Sequence, residues 1–102
     1  MSALLRKPSA FENNFAYEQD FKFKAQARRN KLIGLWAAAT MGRDNAAAYA
    51  EQMMVADIVE PNGVVGRLRA DFDAAGVAVL DDEIQARMVS LLKDAADEMY
   101  AR

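Results

Sequence analysis

The side chains of this sequence that could do chemistry are concentrated in one short cationic stretch. Five basic residues lie between positions 22 and 31: Lys22, Lys24, Arg28, Arg29 and Lys31. Cations at this density bind anions, so the candidate ligands are an acidic protein surface, a nucleic-acid backbone or the phosphates of a nucleotide. Phe21, Phe23 and Trp36 lie in or near the stretch and could stack on a base. These residue types predict binding, and they leave the class of partner open.

Groups suited to catalysis are scarce. The chain contains no histidine and no cysteine, which removes the commonest general base and the thiol nucleophile. Its hydroxyl groups have no evident partner base in the sequence: Ser2, Ser9, Thr40 and Ser90. We predict that the protein is not an enzyme.

One acidic pattern is similar to a calcium-binding loop. Four residues fall at positions one, three, six and twelve of that template: Asp71, Asp73, Gly76 and Asp82. Ala75 and Val79 occupy two further ligand positions, however, and the twelfth position lacks the bidentate glutamate. Carboxylates at helix ends and a helix-stopping glycine explain the pattern better, so we predict no metal and no other cofactor.

Charge is distributed unevenly along the chain. The formal net charge is -2, but residues 1–43 sum to +5 and residues 44–102 to -7. A basic N-terminal part on an acidic body predicts either contact with an acidic partner or attraction between the two parts. The isoelectric point of about 5.1 is far below that of most nucleic-acid binders. We therefore predict no nucleic-acid partner and keep a nucleic-acid-binding helical module as the alternative.

Length and composition indicate a single domain. The chain has 102 residues, of which 53% are hydrophobic and 27% charged, as is typical of a packed protein. The absence of cysteine is compatible with a reducing compartment. The first ten residues, MSALLRKPSA, lack the apolar run of a secretory signal, and no stretch approaches the ~20 apolar residues of a membrane span. We predict a cytoplasmic protein without direct membrane insertion.

The first predicted helix is unusually long. It begins just after Pro8, where Ser9 and Glu12 have the spacing of a capping box, and it ends at Met41 because Gly42 favours a left-handed stop. Two asparagines at positions 13 and 14 are weak helix formers, so we expect the part before residue 18 to be frayed or helical only on binding. We divide the chain into a mobile, conditionally helical segment over residues 1–19 and a bundle domain over residues 20–102.

Three shorter helices are predicted downstream. Asp44 caps the second, which ends near Glu60; the third ends at Gly76; Asp81 caps the fourth, and residues 77–80 are a linker. Their apolar positions have helical spacing: Ala46, Tyr49, Ala50, Met53, then Val64, Val65, Leu68, Phe72, then Ile84, Met88, Leu91, Ala95, Met99. The pattern predicts an all-α fold, a four-helix bundle with a long first helix.

The first helix carries two apolar stripes. One is the expected core face: Phe21, Ala25, Leu32, Trp36 and Ala39. The other consists mostly of small residues, which would let another backbone approach closely: Phe23, Ala27, Gly34, Ala37, Ala38 and Met41. A helix with two such stripes is packed on both sides or uses one for a partner. After residue 31 we expect both stripes to be filled within the protein.

The order of residues in this helix is distinctive. Residues 15–42 read FAYEQDFKFKAQARRNKLIGLWAAATMG, which resembles the zeta-subunit family of alphaproteobacterial F-type ATP synthases, whose hallmark is close to FKAxARRNxLLGLWAA. The acidic run over residues 82–88 is similar as well. The chain departs from the family before residue 9, where LLRKP stands in place of an acidic FDDRE-type stretch.

The resemblance implies a four-helix protein, peripheral to the membrane-bound ATP synthase, that inhibits ATP hydrolysis. Its N-terminal segment would insert at a catalytic interface of the rotary head, and the head subunits would be its partners. Carried over to this chain, the partner-binding residues are Ala10, Phe11, Glu12, Asn14, Phe15, Glu18, Gln19, Lys22, Lys24, Arg28 and Arg29.

A further reading of the cationic helix is an adenylate sensor with weak adenine-nucleotide binding. Its phosphate contacts would come from the four cations that flank the core stripe, with the indole as a further contact: Lys22, Lys24, Arg28, Arg29 and Trp36.

Overall fold

The computed structural model describes the backbone of residues 10–101 and the side chains of residues 17–101. Four helices account for most of this part of the chain: α1 (Ala10–Met41), α2 (Ala46–Val59), α3 (Gly63–Ala75) and α4 (Asp81–Tyr100). No strand occurs within residues 10–101, and residues 77–80 are irregular. The all-α prediction and the linker prediction are therefore confirmed. The proposed capping box lies outside the described residues, because the structure does not describe Ser9 or the side chain of Glu12.

The stops predicted for the helices are where the chain turns. Gly42 and Gly76 have φ angles of 72° and 70°, the left-handed conformation that an L side chain rarely adopts.

The two predicted N-caps are wrong by one residue. α2 follows Asn45 and not Asp44, and the side-chain oxygen of Asn45 accepts a hydrogen bond from Arg43 Nε at 3.3 Å.

Asp81 is the first residue of α4 and does not cap it. Its carboxylate accepts a hydrogen bond from Arg69 Nη1 at 2.8 Å. The same guanidinium donates to the carbonyl of Val79 at 2.7 Å and to Asp73 at 2.8 Å. Arg69 thus ties α3 to the linker and to the start of α4, and competition for the Asp81 carboxylate explains why the prediction failed.

The core lies where all four helices meet. Each helix contributes at least one large, fully buried side chain: Ile33, Tyr49, Met53, Val64, Leu68, Phe72 and Ile84. The stripes predicted for α2, α3 and α4 are confirmed, since every member is buried or partly buried. Trp36 packs edge-on against Phe72, with 5.5 Å between ring centroids.

The stripe predicted as the core face of α1 is only partly right. Ala25 is buried, but Ala39 is exposed, and the fully buried Ile33 belongs to neither predicted stripe. The small-residue stripe is the better buried one, through Gly34, Ala37 and Ala38. The reason is that α1 packs against α2, α3 and α4 together, so its buried surface wraps around the helix and does not follow one line.

α1 and α2 approach each other most closely at Gly34. A Cβ atom placed on Gly34 would lie 2.8 Å from Ala50 Cα and 3.0 Å from Met53 Cγ. Both distances are shorter than an ordinary carbon contact, so no larger residue fits here without moving α2. This explains in physical terms why the second stripe of α1 is built from small residues.

A buried tyrosine links α2 to α3. The hydroxyl of Tyr49 donates to Asp71 Oδ2 at 2.6 Å, and Arg67 Nε donates to the same oxygen at 2.7 Å. The guanidinium groups of Arg43 and Arg67 lie 4.5 and 5.4 Å from the centroid of the tyrosine ring. Burial raises the pKa of the Tyr49 phenol well above its usual range, and the hydrogen bond to Asp71 raises it further.

This raised pKa predicts a pH-dependent stability. Above about pH 10 the unfolded chain loses the Tyr49 proton, whereas the folded protein keeps it, so the free energy of unfolding falls as pH rises. We expect wild-type protein to lose up to about 1.4 kcal/mol more per pH unit than Tyr49→Phe over that range. Urea unfolding of both proteins between about pH 9 and pH 11 measures the difference. Parallel losses in the two proteins would contradict this assignment.

Candidate functional site

The N-terminal part of α1 extends beyond the rest of the bundle. Phe21 contacts Tyr100, the last residue of α4, with 4.6 Å between ring centroids. The helix continues upstream of that contact to Ala10 over 11 residues, about 16 Å at the rise of an α-helix. The side chains of residues 17–20 are all exposed. We call this segment of α1, residues 10–20, the overhang.

Two lysines lie at the base of the overhang, on the side of the bundle. Lys22 and Lys24 are both exposed. Lys24 Nζ is 3.0 Å from Asp20 Oδ2, an exposed pair one helical turn apart that contributes little to stability. Among the side chains of residues 17–101, Lys22 forms no ion pair. Both ammonium groups are accessible to an acidic surface.

Arg28 is committed to a contact within the protein. Its Nε atom lies 2.9 Å from Glu98 Oε1, and its Nη2 atom donates to Glu98 Oε2 at 3.2 Å. The guanidinium is therefore linked to this carboxylate by one hydrogen bond and by a close ion-pair contact. The pair joins the middle of α1 to the end of α4, 70 residues away in sequence.

Arg29 and Asn30 belong to a network around Asp57. Arg29 Nε donates to Asn30 Oδ1 at 2.8 Å, and Arg29 Nη2 lies 3.8 Å from Asp57 Oδ2. Asn30 Nδ2 donates to the same Asp57 oxygen at 3.5 Å, and the other oxygen of Asp57 accepts the backbone N–H of Val64 at 3.0 Å. Burial lowers the pKa of Arg29, and the charge of Asp57 opposes that shift.

The network connects three helices through one carboxylate. Asn30 is buried on α1, Asp57 lies in the last turn of α2, and Val64 is in the first turn of α3, where backbone N–H groups lack helical partners. A buried amide and a largely buried guanidinium are costly without partners. Arg29 and Asn30 therefore position α2 and α3 on α1.

Trp36 lies apart from the accessible lysines. The guanidinium of Arg87 covers its ring at 4.4 Å from the centroid, and Phe72 meets its edge. Along the helix Trp36 is about 18 Å from Lys24, at 1.5 Å per residue. The five residues considered for nucleotide phosphates therefore do not converge: Lys22 and Lys24 are exposed at one end, two arginines are paired with carboxylates of other helices, and Trp36 packs further along.

Comparison with known protein families covers nearly the whole chain. A family model described as ATPase inhibitor subunit zeta matches residues 1–98. The chain belongs to this family of ATPase inhibitor subunits. A search among curated proteins finds no match. The resemblance seen in residues 15–42 is confirmed.

The partner-binding residues expected for a zeta-family member divide into three groups. Glu18, Gln19, Lys22 and Lys24 are exposed on the overhang or at its base. Arg28 and Arg29 are partly buried and bonded to the bundle. The remaining five lie on the helical overhang, where the structure describes the backbone alone: Ala10, Phe11, Glu12, Asn14 and Phe15.

Sequence reasoning missed the residues of the zeta-family bundle that hold α1 against the other helices. Asp57, Glu98 and Tyr100 contact α1 from other helices, and their partners are between 27 and 79 positions away. Asn30 offered a local signal, because it is a polar residue within the small-residue stripe of α1. Within the described residues no helix is long and apolar enough to cross a membrane.

Proposed function

We propose that this zeta-family protein inhibits ATP hydrolysis by the F-type ATP synthase, and that it does so by inserting the overhang of α1 into an interface of the catalytic head. The observation that carries the proposal is the form of α1. One continuous helix is packed inside a bundle over its C-terminal part, and its N-terminal part extends past the end of α4. No bond is made or broken by the inhibitor, which acts by occupying space.

The size of the molecule supports insertion limited to the overhang. A single helix with side chains is about 10–12 Å across and fits a groove between subunits. The molecule has lateral dimensions of 28 and 25 Å, so the bundle does not fit the same groove. Insertion would stop near Phe21, where α4 begins to cover α1. About 16 Å of helix would enter, enough to obstruct a moving interface.

Charge supports an acidic rim as the partner surface. Lys22 and Lys24 are exposed at the place where the overhang would meet the head. Exposed cations of this kind mainly raise the rate of encounter and set the orientation. Arg28 and Arg29 would act indirectly, because their guanidinium groups hold the bundle that carries the overhang. The protein would then be cytoplasmic and peripheral to the membrane.

An assay of ATP hydrolysis tests the proposal. The purified protein is added in increasing amounts to the detached catalytic head from the same organism, and phosphate release is measured. We expect inhibition that saturates as the head is occupied and co-migration of the two on size exclusion. Absence of both inhibition and co-migration would sink the proposal.

A variant with an altered N-terminus covers the case of binding without inhibition. Residues 4–8, LLRKP, are replaced by an acidic stretch without proline, of the kind that the family has there. Proline interrupts a helix that would otherwise continue upstream. We expect the graft to strengthen inhibition. If binding without inhibition persists in the graft, insertion is wrong as the mechanism.

A further inference from the structure

The last turn of α4 contacts α1 at the base of the overhang. The rings of Phe21 and Tyr100 have centroids 4.6 Å apart with an interplanar angle of 34°. The ring of Tyr17, one turn further out, is stacked on Phe21 at 6.4 Å and 25°. Tyr17, Phe21 and Tyr100 thus form a row of three rings, which we call the aromatic row. It connects the end of the bundle to the turn of the overhang that lies nearest the bundle.

The bundle fixes the position of Tyr100. Glu98, two residues earlier, is bound at two points by Arg28. Ala25 on α1 and Ala95 on α4 are both buried, so small side chains let the two helices pack closely just below the row. Tyr100 itself is 73% exposed. Its contact with Phe21 therefore serves the overhang more than the core.

The overhang needs such support because a short helix is unstable alone. An isolated helix of fewer than about 12 residues is marginal in water, since each end leaves backbone groups without partners. α1 avoids the cost of nucleation because its overhang grows from turns that are already packed. Contacts in the turn of the overhang nearest the bundle then decide how far toward the N-terminus the helical order extends. The aromatic row supplies contacts at that turn.

We propose that Tyr100 is a positioning residue for inhibition: through Phe21 and Tyr17 it keeps the base of the overhang helical, so that less of the overhang has to become ordered when it enters its partner. The proposal rests on the proposed function. A preformed helix binds more tightly than one that must be ordered on binding, because the ordering cost is already met. Tyr100 need not touch the partner to have this effect.

The variants Tyr100→Ala and Tyr100→Phe test the proposal. Tyr100→Phe keeps the ring and is expected to inhibit ATP hydrolysis as wild type does. Tyr100→Ala removes the ring and is expected to raise the concentration for half-inhibition about 3- to 10-fold, the range of a lost aromatic pair. Val89→Ala on the exposed side of α4 is the matched control, since Val89 is 71% exposed. We expect no change for it.

Amide exchange provides a readout that does not require the head. In Tyr100→Ala the protection of the amides of residues 17–24 is expected to fall about 3- to 10-fold, while that of residues 45–75 stays unchanged. Equal protection in wild type and Tyr100→Ala, or inhibition by Tyr100→Ala as strong as or stronger than wild type, would overturn the inference. If wild type itself does not inhibit, the proposed function fails, and exchange still decides whether Tyr100 orders the overhang.

Discussion

Deletion of residues 2–19 is expected to abolish inhibition of ATP hydrolysis and to leave the bundle folded. The deleted part contains nearly all of the overhang proposed to insert. Anchor side chains in a helix-in-groove interface each contribute about 2 kcal/mol or more, so the loss of several weakens inhibition by at least about 100-fold. The bundle is spared because the side chains of residues 17–19 are exposed and the core lies beyond residue 20.

Two measurements check the deletion. Phosphate release by the detached head is followed at a concentration at which the full chain inhibits completely. Thermal unfolding by circular dichroism confirms that the shortened protein keeps a cooperative transition. Inhibition by the shortened protein at full potency would show that the bundle, and not the overhang, acts on the head.

Replacement of Gly34 by valine is expected to destabilise the bundle by about 2–3 kcal/mol. A Cβ atom at this position meets the backbone of α2 at 2.8 Å, and backbone cannot be moved as a flexible side chain can. The two γ-methyl groups of valine add to the overlap. Because α1 and α2 share the largest interface of the fold, the strain reaches the core directly.

Gly66 provides the matched control for Gly34. It also lies inside a helix, α3, but a Cβ placed there meets no heavy atom within 4 Å. Gly66→Ala is therefore expected to stabilise the protein by about 0.5–1 kcal/mol through helix propensity. Urea unfolding of the two variants and the wild type measures both effects. Shifts of the same sign would mean that packing at Gly34 does not limit stability.

Local signals in the sequence predicted much of the fold. Gly42 and Gly76 end their helices because a left-handed residue is needed there, and Pro61 limits α2 to residues before it. Apolar spacing located the cores of α2, α3 and α4 because each has one main buried face. Ile33 was missed because three helices surround α1, and no single stripe describes its buried surface.

The candidate site was harder to predict because its contacts are long-range. The cations at positions 22–31 look equivalent in the sequence, yet Lys22 and Lys24 face solvent whereas Arg28 and Arg29 bind carboxylates of other helices. Nothing in the local pattern indicates that Glu98 is the partner of Arg28. The two side chains meet only because α4 packs against α1. The three-dimensional arrangement divides the cationic stretch into an accessible part and a part that is paired with other helices.

The network around Asp57 has a consequence for how relatives are recognised. Arg28-Arg29-Asn30 lies at the centre of the run by which this chain resembles its family, and each of the three contacts a carboxylate of another helix. A sequence signature centred on these residues indicates that the helices of the bundle pack as they do here. It carries no information about the part of α1 before residue 20. Under the proposed insertion, two chains that share the signature in full would differ in potency if they differ before residue 20.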